Sequence, residues 1–356
     1  MNEQRVSSPA SSARVRWIDI LKALGLLLVM MYHIHDTWIF NAFLRTFFIS
    51  VFFFAGGLLY RERDILYDLK RRARTLVVPY FVFGAVIFLY WIVIERRFRP
   101  EVTTPAEALK GLVLGEFRYL GFHSHLWFLP CYFVCCVLYN CLRKLTGRRV
   151  TTAVAAALTL LFVLSPVFKY RIPDLPWGLD RVCQYILFFD LGTMQPIRRT
   201  LSGLSRRSPL FCFPIGLGVF VLGYFLHRLV GSGSIWWFVC GAVGTLACVL
   251  LAMALDRFDL AARSLARLGF MSIVFLCLHG PCYRVLIKLL AMLLRRGTDA
   301  VRASFLLSLL VLLATLLVCT VFYMLIDRYL PWVIKAQPVR AEKAADDRSG
   351  KHAKHS

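Results

Sequence analysis

Three residues in the first long apolar run carry groups that can do chemistry. The stretch Arg16 to His33 reads RWIDILKALGLLLVMMYH and holds Asp19, Lys22 and His33. A charge at the centre of a membrane helix costs about 2.5–3.5 kcal/mol on insertion scales. Asp19 and Lys22 are three apart, so they share a helical face and can pair. Lys22 and His33 are eleven apart, about three turns and about 16 Å along a helix axis, and also share a face. One stripe therefore carries an acid, a base and an imidazole, and imidazole is the side chain suited to taking a proton from a hydroxyl near neutrality. Snorkelling to the interface is an equal reading for Asp19 and Lys22. For His33 a functional reading is favoured, because His35 and Asp36 follow it directly.

Other polar groups interrupt apolar sequence further on. Lys70-Arg71-Arg72-Ala73-Arg74 stands just ahead of an apolar run, where it can mark topology, meet anionic lipid, or hold phosphates, which Arg grips with two parallel hydrogen bonds. His123-Ser124-His125 precedes Trp127-Phe128-Leu129-Pro130. An interfacial aromatic belt explains it; metal at this i, i+2 spacing has no carboxylate partner nearby, so none is expected. Ser272 opens a late apolar run that His279-Gly280-Pro281 interrupts, and a proline in mid-run frees carbonyls that need partners. Arg284 and Lys288 continue below His279, so that helix must face protein or water. Arg45, Asp190 and Gln184 also sit in apolar runs, and Arg45 is within reach of Asp36. Gly56-Gly57, after Phe52-Phe53-Phe54, permits close helix approach.

These residues must be positioned by membrane helices. The chain has 356 residues, 59% of them hydrophobic, in continuous apolar runs near twenty residues long. That composition predicts an all-α, polytopic integral membrane protein and excludes the short alternating segments of a β-barrel. About ten helices are expected, near 17–35, 39–60, 75–94, 125–142, 150–168, 182–195, 210–229, 235–255, 268–293 and 303–326. Residues 1–16 and 331–356 read as disordered cytoplasmic tails around a single domain spanning 17–330. The formal charge of +23 comes from short clusters between apolar runs, which fits membrane topology better than nucleic-acid binding. The bias of Lys and Arg places both termini in the cytoplasm. No small-residue cleavage site follows Tyr32-His33, so the first run reads as a retained helix. The loop 95–124 carries a weakly amphipathic piece around Pro105 to Phe117, either a surface helix or a plain connection. The eleven cysteines lie mostly in apolar runs without C-x-x-C spacing and read as small buried residues.

Taken together, these motifs resemble the membrane-bound acyltransferase-3 family, in particular its branch similar to fucose 4-O-acetylases. That family opens with a basic residue, ten residues and a histidine, which Lys22 to His33 fits with Lys where Arg is common. It shows an FFF-x-SG patch, where Gly56 takes the serine's place and Ser50 that of a usual proline. It shows R-x-x-R before L-x-x-PY, matched by Arg71 and Arg74, and WFLP, matched by Trp127 to Pro130. It has a Ser and then a His in a late helix, matched by Ser272 and His279. The resemblance spans Arg16 to about Tyr329 and implies an O-acyltransferase moving acetyl from acetyl-CoA to a hydroxyl of a cell-surface glycan or glycolipid. It implies His33 as base or acyl carrier, His279 as a second catalytic group, and Asp19 as the residue that orients a basic partner. Lys22, Arg71 and Arg74 would neutralise CoA phosphates, and Trp127, His125 and Ser272 would line the acceptor site. The bilayer and the glycan are the implied partners, with glycan-assembly proteins as further ones, in a bacterial inner membrane. A transporter or flippase suits the buried charges too, although no inverted repeat is visible. A glycan polymerase or ligase would use lipid-linked sugar and ignore CoA.

Overall fold

The computed structural model describes residues 15–37, 39–98, 103–170, 172–205, 209–231 and 233–335. The chain opens with α1 (Arg16–Ile34), α2 (Asn41–Leu58) and α3 (Ile65–Arg72), which runs through a π-turn at Ala73–Val77 into α4 (Val78–Val93). The π-turn ends two residues before Pro79, which has no N–H to return to the preceding turn. α5 (Pro105–Leu114) follows, then a 3-10 stretch at Gly121–Trp127 that leads into α6 (Phe128–Leu164). Next come α7 (Leu179–Thr193), α8 (Gln195–Leu204), α9 (Pro209–Val230), α10 (Ser234–Leu255) and α11 (Asp259–Phe270). The chain closes with α12 (Ser272–Leu293), α13 (Thr298–Ala303), α14 (Phe305–Tyr329) and α15 (Pro331–Ile334). No strand occurs among the described residues.

The expected all-α, membrane-spanning class is what is found. Eight helices among the described residues are long and apolar enough to cross a bilayer. The difference from ten has a local cause. The expected helices at 125–142 and 150–168 are two limbs of α6, which turns at Gly147 with φ 76° and ψ 179°, a conformation that glycine alone adopts freely. The expected helix at 182–195 is α7, whose 15 residues fall short of the roughly 20 that span a bilayer. The expected break at His279-Gly280-Pro281 does not occur, because α12 continues through Pro281. The amphipathic piece in the 95–124 loop is α5, started by a Thr104–Glu107 capping box and ended by Gly115 at φ 64°. Arg16 belongs to α1, and Pro331–Ile334 fold as α15 rather than joining a disordered tail. Val15 and Lys335 flank these two helices, and residues 1–14 and 336–356 of the expected tails lie outside the described residues.

α1 is the central post. It packs against α2, α10, α11, α12 and α14, and most of its side chains, polar Asp19 included, are buried. Small residues let backbones close up where two apolar surfaces gain little from leaving lipid: Gly57 of α2 lies against Gly192 and the Phe189 carbonyl of α7, and Gly269 of α11 lies against the Asp19 carbonyl. The far end of α1 is fixed by polar groups. Arg302 donates to the carbonyls of His33 (3.3 Å) and Ile34 (3.4 Å), the last carbonyls of a helix that otherwise lack partners. His35 Nδ1 donates to the Arg302 carbonyl at 2.6 Å. Asp36 pairs with Arg302 at 3.5 Å and not with Arg45, which is exposed on α2.

Candidate active site

Four histidines from three segments meet beside α1. His33 comes from the last turn of α1, His123 and His125 from the 3-10 stretch, and His279 from the second turn of α12. Ring centroids lie 4.1 Å apart for His33 and His125, 4.5 Å for His125 and His279, 6.1 Å for His33 and His279, and 5.0 Å for His123 and His125. Tyr283, one turn beyond His279, lies parallel to His33 at 6.5 Å. His123 and His279 are fully buried, whereas His33 and His125 keep some accessible surface.

Backbone chemistry orients these rings. Pro281 has no N–H, so the carbonyl four residues back, that of Cys277, loses its helical donor. His123 Nε2 lies 2.6 Å from that oxygen and, since a carbonyl only accepts, must carry the hydrogen. The neutral ring then presents a lone pair at Nδ1, which lies 3.4 Å from His125 Nδ1. His125 therefore holds its hydrogen on Nδ1, and its Nε2 is a bare lone pair. By the same reasoning His279 Nδ1 donates to the Phe275 carbonyl at 2.8 Å, which leaves its Nε2 bare. Both Nε2 atoms are buried without a hydrogen-bond partner. A proline in α12 thus sets, through a carbonyl and one imidazole, which nitrogen of a second imidazole keeps its lone pair.

An ion pair holds the 3-10 stretch in register. Arg284 Nε meets Glu95 Oε1 at 2.6 Å, and its Nη2 donates to Glu95 Oε2 at 3.1 Å and to the Phe122 carbonyl at 3.2 Å. The pair thereby ties the loop after α4 and the residue preceding His123 to α12. Among the described residues, no group of three or more His, Cys, Asp or Glu has the geometry to hold a metal ion; two of the four imidazoles are committed to backbone carbonyls instead.

The remaining expected site residues fall in three other places. Asp19 and Lys22 pair at 2.6 Å at the opposite end of α1, far from His33. Arg71 is half-buried and Arg74 exposed, while their neighbour Arg72 turns inward onto Asp68 at 2.6 Å. Trp127 follows His125 by two residues yet faces α7: Arg181 is sandwiched between Phe117 (4.4 Å) and Trp127 (4.7 Å). Arg181 also lines a cavity of about 490 Å3 with Ser165, Lys169, Asp180 and Gln184. Ser272 is buried at the start of α12, about 10 Å along the axis below His279, so the structure does not bring it to the cluster. Of the expected residues, His33, His125 and His279 converge.

Other members of the site were not singled out in the sequence. His123 was seen only as a neighbour of His125. Glu95 and Tyr283 were not seen at all. The signal for His123 was the proline four residues beyond Cys277, which announces an acceptor without naming its donor. At Gly56, where the family resemblance implies a serine, a side chain would fall on the Tyr132 hydroxyl of α6, so a different hydroxyl occupies that space. Asp190 of α7 accepts from Tyr139 (2.6 Å) and Thr152 (3.2 Å) and serves the packing of α6 on α7.

No curated protein and no solved structure matches the chain. A family model does: with residues 15–324 matched by the acyltransferase-3 model, described as an acyltransferase domain, and an all-helical membrane fold gathered around buried imidazoles, the chain belongs to the acyltransferase-3 family of membrane acyltransferases.

Proposed function

We propose that this acyltransferase is an O-acetyltransferase that moves acetyl from acetyl-CoA to a hydroxyl of a cell-surface glycan or glycolipid, as its resemblance to the fucose 4-O-acetylase-like branch suggests. The observation that carries the reading is the accessible His33 ring, set against His125 with a bare Nε2 and backed by His279 with another. An imidazole lone pair at His33 takes the proton as the acceptor oxygen attacks the thioester carbonyl. The C–S bond then breaks, the acetyl ester stays on the glycan, and the proton passes from His33 to the departing thiolate to give free CoA. His279 and His125 are the neighbouring bases that hold or return the proton.

The bias of basic residues supports a topology with both termini in the cytoplasm of a bacterial inner membrane. The donor then enters from the Asp19–Lys22 end of α1, with Lys22, Arg71 and Arg74 near its phosphates. Its pantetheine arm reaches the roughly 16 Å to His33. The acceptor arrives at the other end. There Arg181, Asp180 and Gln184 offer the planar polar groups that bind sugar hydroxyls, and the Trp127 ring holds the Arg181 guanidinium in place. Glycan-assembly proteins are the fitting partners.

The test is acetyl-CoA turnover by the purified protein in lipid, with a panel of glycan acceptors, wild type beside His33→Ala. Release of free CoA that is lost in the variant supports both the donor and the base. Turnover that survives in the variant moves the chemistry to His279. Absence of CoA turnover with every acceptor leaves acetyl-CoA unsupported and favours transport of a charged substrate through the same buried groups.

A further inference from the structure

Where α2, α6 and α7 reverse direction, at the end of the bundle opposite the histidines, a second cavity of about 420 Å3 is lined by Arg61, Arg143, Arg148 and Arg198 together with Tyr60 and Glu62. Four guanidinium groups face one carboxylate. They come from the stretch after α2, from both limbs of α6 on either side of Gly147, and from α8. A general excess of basic residues on one side of the membrane does not require that separate elements aim them into one hollow.

The partners of Arg198, Arg148 and Arg143 show where donors are left over. Arg198 is committed to main-chain carbonyls: Gly57 at 2.6 Å, Gly192 at 3.0 Å and Tyr60 at 3.1 Å. It caps the negative C-terminal ends of α2 and α7. Arg148 reaches only the Thr193 carbonyl, at 3.4 Å. Arg143 meets Glu62 at 3.4 Å, longer than the 2.7–2.9 Å typical of a well-made charged hydrogen bond. Its Nη1 is buried with no hydrogen-bond partner, and an N–H removed from water without an acceptor is costly unless a ligand supplies one. A loosely engaged guanidinium at Arg148, an unfilled donor at Arg143 and a hollow of small-molecule size coincide at one place.

We propose that this cavity binds a phosphate group carried on a larger organic anion, either the nucleotide end of a CoA-type donor or the headgroup of an anionic phospholipid. The planar fork of arginine fits phosphate oxygens two at a time, and Arg143 and Arg148 are the two forks with donors to spare. In its donor form the inference rests on the acetyl-CoA reading and moves the phosphate anchor from Lys22, which Asp19 already neutralises, to the α6–α8 corner.

The experiment uses the whole chain in nanodiscs, as wild type, Arg143→Gln and Arg148→Gln. The probes are CoA in neutral phosphatidylcholine discs, and retention of phosphatidylglycerol from mixed discs read by native mass spectrometry. Thermal unfolding checks that each variant is folded; Arg148→Gln removes one long contact and is the safer of the two. The donor source predicts that CoA binding weakens about tenfold in either variant and depends less steeply on salt. The lipid source predicts unchanged CoA affinity and lost preference for phosphatidylglycerol. Both probes unchanged in folded variants overturns the proposal. Phosphatidylglycerol retained through Arg143 and Arg148 by a protein that binds no CoA keeps this site and defeats the acetyl-CoA reading. CoA binding that fails only on substitution of Lys22, Arg71 or Arg74 keeps that reading and defeats this site.

Discussion

The two ends of α1 handle buried polarity in opposite ways. At one end Asp19 and Lys22 neutralise each other at 2.6 Å, and the backbone is pressed against Gly269. At the other end His33 stands among three more imidazoles, two of which keep an unpartnered nitrogen. A matched pair removed from water holds its place because breaking it strands a charge. An imidazole nitrogen with its lone pair unspent does little for stability. On the role proposed for His33, the contrast separates polar residues that build the fold from those that act on a substrate, although both interrupt the same apolar helix.

The sharpest way to break the comparison is at His33. His33→Ala should lower acyl transfer by about 10²–10⁴-fold, the usual contribution of a positioned general base, with thermal stability little changed; a large loss of stability with activity retained would reverse the assignment. At the paired end the effect should be structural. Asp19→Ala should cost about 3 kcal/mol by leaving Lys22 without its counter-charge, read as a lowered unfolding midpoint in lipid, and Asp19→Ala with Lys22→Met should recover much of it. Gly269→Ala should cost about 1–3 kcal/mol by pushing α11 off the Asp19 carbonyl, which differential scanning measures. The smallest effect is the most specific. Pro281→Ala returns an N–H to Cys277, competes with His123, and should lower turnover about fivefold, the worth of roughly 1 kcal/mol of hydrogen bonding, while α12 becomes no less stable. His123→Ala should lower turnover similarly, and the double variant should be no worse than either alone.

The helices were legible because apolar runs near the length of a bilayer have few alternatives. The two limbs of α6 were legible as separate apolar runs, but the tightness of their reversal was not, because a reversal at one glycine needs no polar loop. His33 and His279 stood out because an imidazole in an apolar run is expensive, and spacing from Lys22 singled out the first. The meeting of His33 with His125 was not legible, since the two are 92 positions apart in the chain and periodicity reports only one helix at a time. Glu95 was hidden for a related reason: it sits in a loop, where an acid costs nothing, and its value appears only when Arg284, 189 residues away, arrives. Arg71 and Arg74 matched a motif, yet the inward-facing member of that cluster is Arg72, because the helix places it opposite Asp68 four residues before.

The unfilled Cys277 carbonyl has a bearing on how the protein is built. Until residues 121–127 dock, α12 carries through the bilayer an acceptor that lipid cannot satisfy, and His123, from 154 positions earlier in the chain, supplies the missing donor. The most favourable way to settle the late helix is therefore the same contact that orients the histidines. Docking of the 3-10 stretch and completion of the histidine cluster become a single event, so a partly inserted chain has neither its late helix satisfied nor its imidazoles in place.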